Sequence, residues 1–498
     1  MRKAPATAAY LPGDDGLSVA NKSWHPRNEP STAIAPRLRR TCFAPLSLAC
    51  MLFTFGLLQR TACLNAQGTV PQLLSLQNAI TLAERANPES ALATARQQAA
   101  RAGVQSARST MLPHLAASET LTDSTDPVFA FGARLRQGRF TTNDFSPAKL
   151  NHPAATTDFQ SAVGASWNMF DSGKSRREVQ AARSQIESAT HEGDATRHNL
   201  AYQTVRAYYR ALLADQERLT TAAAVTRARS FRQQAQDRMT AGLALASEGL
   251  QADVELSQRE QDAAEADSNV SLAYADLEDI LGGSGVTYTL IQPQGTPAPV
   301  NSSLEELQAQ ALRSRPDLAA ARSKILTAAY SIKAARDAYG PAFSSFADVQ
   351  ADNPHLASGG GTNWTVGGRA EINLFDGGVR KAELSKARAE RLMAQAAFRQ
   401  AQTKANLQVR QAFYALQTSR RQYNTSSQML AAGQETLRTA LNRYSAGLAT
   451  ITEVLTQQDQ LRAIELNRVE SLYRWWTTDA QLRFATGENI LTDSGTHP

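Results

Sequence analysis

Two stretches of this chain repeat each other, and that repetition constrains the fold more than any local pattern does. Ala86-Asn87-Pro88-Glu89 recurs as Ser314-Arg315-Pro316-Asp317, and Ala107-Arg108 up to Pro113 recurs as Ala335-Arg336 up to Pro341, both at an offset of 228. Asn168-Met169-Phe170-Asp171-Ser172-Gly173 recurs as Asn373-Leu374-Phe375-Asp376-Gly377-Gly378 at an offset of 205. The segment from Arg238 to Ala244 (RMTAGLA) recurs as Arg443 to Ala449 (RYSAGLA) at the same 205. The offset drops by 23 between Pro113 and Asn168, so the first copy carries 23 extra residues there. A Gly-, Pro- and Ser-rich linker, 283–303, separates a first repeat, 67–282, from a second, 304–487; a tail, 488–498, follows.

Each copy reads as a half-length helix, a strand pair, a full-length helix, a sharp glycine turn and another half-length helix. Proline is absent from 172–292 and from 355–497, where Ala, Gln, Arg, Glu and Leu dominate, all good helix formers. Val179, Ala182, Ile186, Ala189, Thr196 and Leu200, then Val205, Tyr208, Leu212 and Leu219, keep the spacings of a coiled-coil seam. Many seam positions are small, so neighbouring helices can approach closely. Long helices over 171–241 and 376–446 would each run about 105 Å, while 75–110 and 246–281 would run about 54 Å each, at ~1.5 Å per residue. Two short helices end to end match one long helix, and the second copy, with a last helix over 450–486, obeys the same rule. The expected architecture is a palisade of antiparallel helices. Asp171 and Asp376 stand where an N-terminal acceptor is wanted, and Gly242 and Gly447 where a left-handed C-terminal residue is wanted.

Between the first half-length helix and the full-length helix the period changes from 3.6 to 2. Trp364, Val366, Gly368, Ala370, Ile372 and Leu374 alternate with Thr365, Gly367, Arg369, Glu371 and Asn373. Such a strand has the length of a tilted transmembrane barrel strand, about 9 to 11 residues, with a polar face suited to a wet lumen. Phe159 to Met169 repeats the pattern; His114 to Thr122 and Ala342 to Gln350 follow it roughly. The hairpins are expected at 114–169 and 342–374. Four strands are too few to close a barrel, so a membrane reading requires oligomerisation. The alternation also fits a small soluble sheet packed on the helices.

Lys+Arg 52 against Asp+Glu 46 gives a net charge of +6, but residues 1–66 hold eight basic and three acidic side chains and so carry +5 of it. The remainder is nearly neutral, and no basic footprint for nucleic acid is left. Arg37, Arg39 and Arg40 precede an uncharged run from Thr41 to Leu58, the order of a signal peptide, with cleavage expected near Ala66. All three cysteines, Cys42, Cys50 and Cys63, lie in this leader; Arg60 three positions before Cys63 disfavours lipid attachment there. Disulfides therefore contribute nothing to the expected fold.

Together these features resemble the TolC-like outer-membrane efflux protein family over about residues 73–487. The resemblance rests on the duplication, the Asn-x-Phe-Asp-x-Gly strand-to-helix junctions (Phe170, Asp171, Gly173; Phe375, Asp376, Gly378), the Pro-Glu and Pro-Asp helix starts, and Arg-x-x-Ala-Gly-Leu-Ala before each turn. It implies a mainly α fold with a membrane β-barrel portion: a homotrimer whose long helices form a tunnel through the periplasm, joined to a 12-stranded barrel in outer-membrane lipid. It also implies a duct role beside two partners, a periplasmic adaptor and an inner-membrane pump. By position, Arg238, Ala241, Gly242, Leu243 and Ser247 in copy one, and Arg443, Tyr444, Ala446, Gly447, Leu448 and Thr452 in copy two, match the adaptor-docking tip, and Glu453 matches an acid of the periplasmic aperture. Thr456 stands where some members have a second acid, and Ala449 where some have a gate-locking arginine.

No cofactor, metal or catalytic site is expected. None of the seven histidines forms a metal-ligand pattern, and His191 and His198 are two helical turns apart. There is no G-x-S-x-G elbow and no Walker loop; Gly359-Gly360-Gly361 opens no helix. Residues 123–158 hold the extra 23, with Phe129, Phe131 and Phe140 beside Arg134, Arg136 and Arg139: a loop expected at the barrel, able to plug the lumen, to bind an outside partner or simply to lie ordered on the surface. The rival from another class is a soluble periplasmic coiled-coil or adaptor protein. Adaptors usually carry Gly- and Val-rich barrel domains, and no such block appears in 67–498.

Overall fold

The computed structural model of the chain describes residues 72–283, 285–356 and 359–490. The expected leader, with the three cysteines and the expected cleavage near Ala66, and the last eight residues of the tail lie outside the described residues. The elements run in the expected order, twice. The first copy has β1 (Gln72–Leu74), α1 (Leu76–Ala86), α2 (Pro88–Ser109), β2 (His114–Ser124), α3 (Pro127–Arg136), α4 (Pro147–Asn151), β3 (Thr156–Phe170), α5 (Lys174–Thr240) and α6 (Ala246–Ile280). Then come β4 (Tyr288–Leu290), α7 (Leu304–Ser314), α8 (Pro316–Asp337), β5 (Ala342–Asn353), β6 (Gly361–Glu371), α9 (Val379–Ser445) and α10 (Ile451–Thr486).

The two long helices have 67 residues each, about 100 Å at ~1.5 Å per residue. Both start three residues later than expected, because Gly173 (φ 96°) and Gly378 (φ 94°) hold a left-handed conformation that the helix cannot include. Asp171 and Asp376 still act as the acceptors foreseen for them. Asp171 accepts the N–H of Ser175 at 2.9 Å, and Asp376 the N–H of Arg380 at 3.1 Å. The hydrogen bonds from the Arg380 side chain and N–H hold the Asp376 carboxyl below its ordinary range.

The first half-length helix of each copy is broken in two at Asn87–Pro88 and at Arg315–Pro316, where proline supplies no N–H to the preceding turn. The break is used for end-to-end stacking. Asn87 donates from Nδ2 to the carbonyl of Ile280, the last residue of α6, at 2.9 Å. In the second copy Arg315 donates from Nη1 to the carbonyl of Ala485 near the end of α10 at 3.2 Å. Gly282 (φ 91°) and Gly487 (φ 76°), 205 positions apart, turn the chain there, and a Cβ on either would lie within 3 Å of the backbone at the break, at Ala86 and at Ser314 and Arg315 respectively. Helix α2 thus continues the line of α6, and α8 that of α10.

Small residues let the helices close up, as the seam suggested. Ser184 and Ser188 of α5 are buried and donate to the α8 carbonyls of Ser323 and Ala320 at 3.2 and 3.4 Å. Leu219 departs from the seam and is exposed. The main core lies around the middle of α5, where Leu200, Val205, Tyr208 and Leu212 pack with Ile80, Leu277 and Tyr473. The linker is not structureless: its β4 pairs in parallel with β1. The buried Tyr208 hydroxyl lies 2.9 Å from the Leu74 carbonyl oxygen and 2.7 Å from that of Ile291, and accepts the Ile291 N–H. That contact ties the junction between the copies to α5.

The four longer strands form one antiparallel sheet in the order β2-β3-β5-β6. Strand β6 covers Gly361–Glu371, so Ile372 and Leu374, expected inside it, fall beyond its end. Among the described residues no helix is long and apolar enough to cross a membrane, which says nothing about the sheet.

Candidate functional site: a two-faced sheet and a double helical turn

Register assigns the faces of the sheet, since side chains directly opposite one another share a face. Leu115, Ala165, Ala347 and Val366 form one row across all four strands; Ala117, Val163, Val349 and Trp364 form the next. Trp364 is 75% and Val366 68% exposed, and Leu115, Leu121, Val163 and Val349 are exposed with them. The opposite face carries rows such as Gln160, Asp352 and Gly361, Gln350 and Asn363, and Asp348 and Thr365. Glu119, hydrogen-bonded to the Ser161 hydroxyl, interrupts the apolar side. Strands β2 and β6 have no partner on their outer edges among the described residues.

At the far ends of the long helices the two glycine turns are built alike. Leu243 N–H bonds the carbonyl of Arg238 and Gly242 N–H that of Met239, at 2.8 and 3.0 Å; Leu448 and Gly447 repeat this with Arg443 and Tyr444. With φ of 73° and 75° at the two glycines, both are helix terminations that need a left-handed residue. Ala241, Leu243, Ser247, Ala446, Leu448 and Thr452 are exposed, as a contact surface requires. Tyr444 is not: it is 2% exposed and packs on Phe231 above Ile451 and Val454, because its ring closes the core beneath the turns. It belongs to the inside of the tip rather than to its surface.

The two arginines that open the repeated motif both serve the second turn. Arg238 donates to the Ser445 carbonyl at 2.9 Å, with its guanidinium 4.8 Å from the centre of the Tyr444 ring. Arg443 donates to Glu453 at 2.8 Å and to the Leu448 carbonyl at 3.3 Å. Glu453 is therefore half of an ion pair rather than a free acid. Sequence reading missed Glu248, which accepts the Tyr444 hydroxyl at 2.8 Å and so joins α6 to α9. The signal was available, since Glu248 stands 205 positions before Glu453. Burial, reinforced by the Glu248 carboxylate, pushes the Tyr444 phenol up to about 12, so it remains a donor at neutral pH. Tyr444→Phe is expected to cost about 1–2 kcal/mol and to speed amide exchange in both turns, while a change confined to copy two would show that the bond does not couple the hairpins.

At the strand-to-helix junctions, Phe170 lies against Phe343 across the sheet, while Phe375 is exposed. Among the described residues no group of His, Cys, Asp and Glu is placed to hold a metal ion. His198 bonds the Glu488 carbonyl and stacks on Phe484.

The profile of the family described as outer membrane efflux protein matches residues 79–283 and 307–488. Protein CyaE of Bordetella pertussis is 28% identical over 310 residues, 61% of this chain and 65% of its own length. Outer membrane protein OprJ of Pseudomonas aeruginosa is 31% identical over 158 residues, 31% of this chain and 32% of its own length. The matched segments thus span less than two thirds of either relative. Among solved structures, CusC, whose structures concern transmembrane channel formation, superposes with a TM-score of 0.71 at 20% identity, over 83% of this chain and 92% of that one. Because the profile match takes in both copies of the duplication and the fold is shared from sheet to tip, this chain is a member of the outer membrane efflux protein family.

Proposed function

We propose that the protein is an outer-membrane channel of a tripartite efflux or secretion system, a passive trimeric duct that receives its substrate from an inner-membrane pump and a periplasmic adaptor. The carrying observation is the sheet. It exposes an apolar face that water disfavours and, among the described residues, leaves both edges unpaired, a combination that a soluble sheet avoids. Lipid on the apolar face and neighbouring copies on the two edges satisfy both at once. Three copies supply twelve strands, and the helices extend the duct into the periplasm. The glycine turns at the far end form the docking surface for the adaptor through Leu243, Leu448 and their neighbours. No step in this role asks the chain for catalysis or a cofactor, since the pump supplies the work.

Fractionation combined with cross-linking tests the reading. The mature protein is expected in the outer membrane, migrating after cross-linking at three times the monomer mass. Recovery as a soluble periplasmic monomer would support the coiled-coil alternative instead.

A further inference from the structure

The 23-residue insertion of the first copy has a definite fold and a definite place. Between β2 and β3 the chain forms α3, a single 3₁₀ turn (Thr142–Phe145) and α4. This segment packs against the sheet, with α3 touching β3, β5 and β6. Arg136, the last residue of α3, donates from Nε to Asp352 Oδ1 at 3.0 Å and holds Nη2 3.6 Å from Asp158 Oδ2. Gln137 donates from Nε2 to Asp158 Oδ1 and to the Thr157 carbonyl, both at 2.9 Å. Asp158 and Asp352 are 2% and 0% exposed.

Register decides which side this is. Asp352 stands opposite Gln160 and Gly361, and Asp158 opposite Thr122, so both carboxylates belong to the polar face. Gly361 makes the approach possible, because a Cβ there would stand 1.9 Å from the Arg136 carbonyl oxygen. The rest of the insertion is held together independently. Asp144 accepts from the Thr141 N–H and hydroxyl and pairs with Arg134 at 2.9 Å. Phe131, Phe140 and Phe145 meet edge to face, with centroids 4.9 to 6.4 Å apart.

We infer that this insertion is an internal constriction at the outer end of the duct, latched to the lumen wall by Arg136 on Asp158 and Asp352. The inference rests on the reading above, in which the polar face turns inward. An eight-stranded barrel is just filled by its own side chains, whereas 16 to 18 strands leave an aqueous channel, so twelve strands enclose an intermediate lumen. Three copies of a segment containing a helix about 10–12 Å thick occupy most of it. Copy two lacks the segment, which keeps the contribution to one per chain. The latch is conditional by construction: two neighbouring carboxylates lie buried under the insertion, and Arg136 supplies the positive charge that offsets their mutual repulsion. Without it they gain by regaining water, and the insertion swings off the wall.

Cysteine labelling from outside the cell tests this at the outer end alone. In a background with Cys42, Cys50 and Cys63 changed to Ala, no other cysteine remains. Thr365→Cys places a thiol on the polar face of β6, four residues inward of Gly361, and Val366→Cys places one on the apolar face. A membrane-impermeant maleimide on intact cells is expected to label Thr365→Cys at least tenfold more slowly in the otherwise unchanged chain than with Arg136→Ala, or with 127–153 replaced by a Gly-Ser linker, while Val366→Cys stays unlabelled throughout. Equal rates at Thr365→Cys in all three, with Val366→Cys protected, would overturn the constriction and leave the barrel standing. Labelling of Val366→Cys as fast as Thr365→Cys would overturn the barrel reading and the constriction with it. If Arg136→Ala fails to assemble, the linker chain carries the same comparison.

Discussion

Val366→Arg is expected to remove nearly all trimer from the outer membrane, whereas Arg369→Ala leaves trimer yield close to wild type. Val366 lies mid-strand in β6, opposite Ala347 and in the same row as Leu115 and Ala165, on the face assigned to lipid. An arginine at the midplane of a barrel costs about 2–4 kcal/mol, so three copies cost roughly 6–12 kcal/mol. That is comparable to the entire stability of an ordinary domain, about 5–15 kcal/mol. Arg369, three residues on, stands opposite Ser344 on the polar face, where its loss changes only a hydrated surface. Ile372, which alternation alone would place inside the strand, is the poorer probe. It follows the last residue of β6, near the helix end of the sheet, where the cost of a charge falls to about 0–1 kcal/mol. Cross-linked trimer measured in outer-membrane fractions distinguishes the two variants; equal yields would assign the sheet to water.

Leu448→Glu is expected to leave trimers intact in the outer membrane and to reduce export at least tenfold. The side chain is 71% exposed and belongs to no core cluster of its own subunit. The bonds that hold the turn, from the Leu448 N–H to the Arg443 carbonyl and from the Arg443 guanidinium to the Leu448 carbonyl, use only backbone atoms of residue 448, which the substitution retains. By contrast, Gly447 needs its positive φ, and Gly447→Val would strain the turn itself. A carboxylate at 448 must lose water against any apolar partner surface, and one buried unpaired charge is enough to abolish a small docking contact. Export assayed alongside trimer yield separates the outcomes. Wild-type export by the variant would reduce the turn to helix termination, and loss of trimer would place Leu448 in an interface between copies of this chain.

Much of the architecture was legible because it depends on short-range rules. The ends of the long helices follow from where Gly242 and Gly447 stand, and the strands from a period that alternation reveals without knowledge of neighbours. Some departures are local, as at Gly173, Gly378, Pro88 and Pro316; the larger ones come from contacts distant in sequence. Tyr444 lies within an exposed motif, yet Phe231 and Glu248 draw it inward. The linker looks like an unstructured spacer, yet β4 finds β1, some two hundred residues earlier, and Tyr208 secures the pair. The insertion reads as an ambiguous aromatic and basic loop, because nothing near Arg136 in the chain announces Asp352, 216 residues away.

The duplication, the long helices, the four longer strands and the places where the chain turns are legible in the residues, since each rests on backbone preferences and periodicity expressed within a few residues. Register and long-range burial decided which face of the sheet the insertion covers, which acid partners which arginine at the tip, and that Asn87 and Arg315 fasten the joints between the stacked helices. Those outcomes depend on register and on burial against distant segments, where the cost of leaving a charge or a backbone group unpaired selects one partner among many that local sequence allows equally.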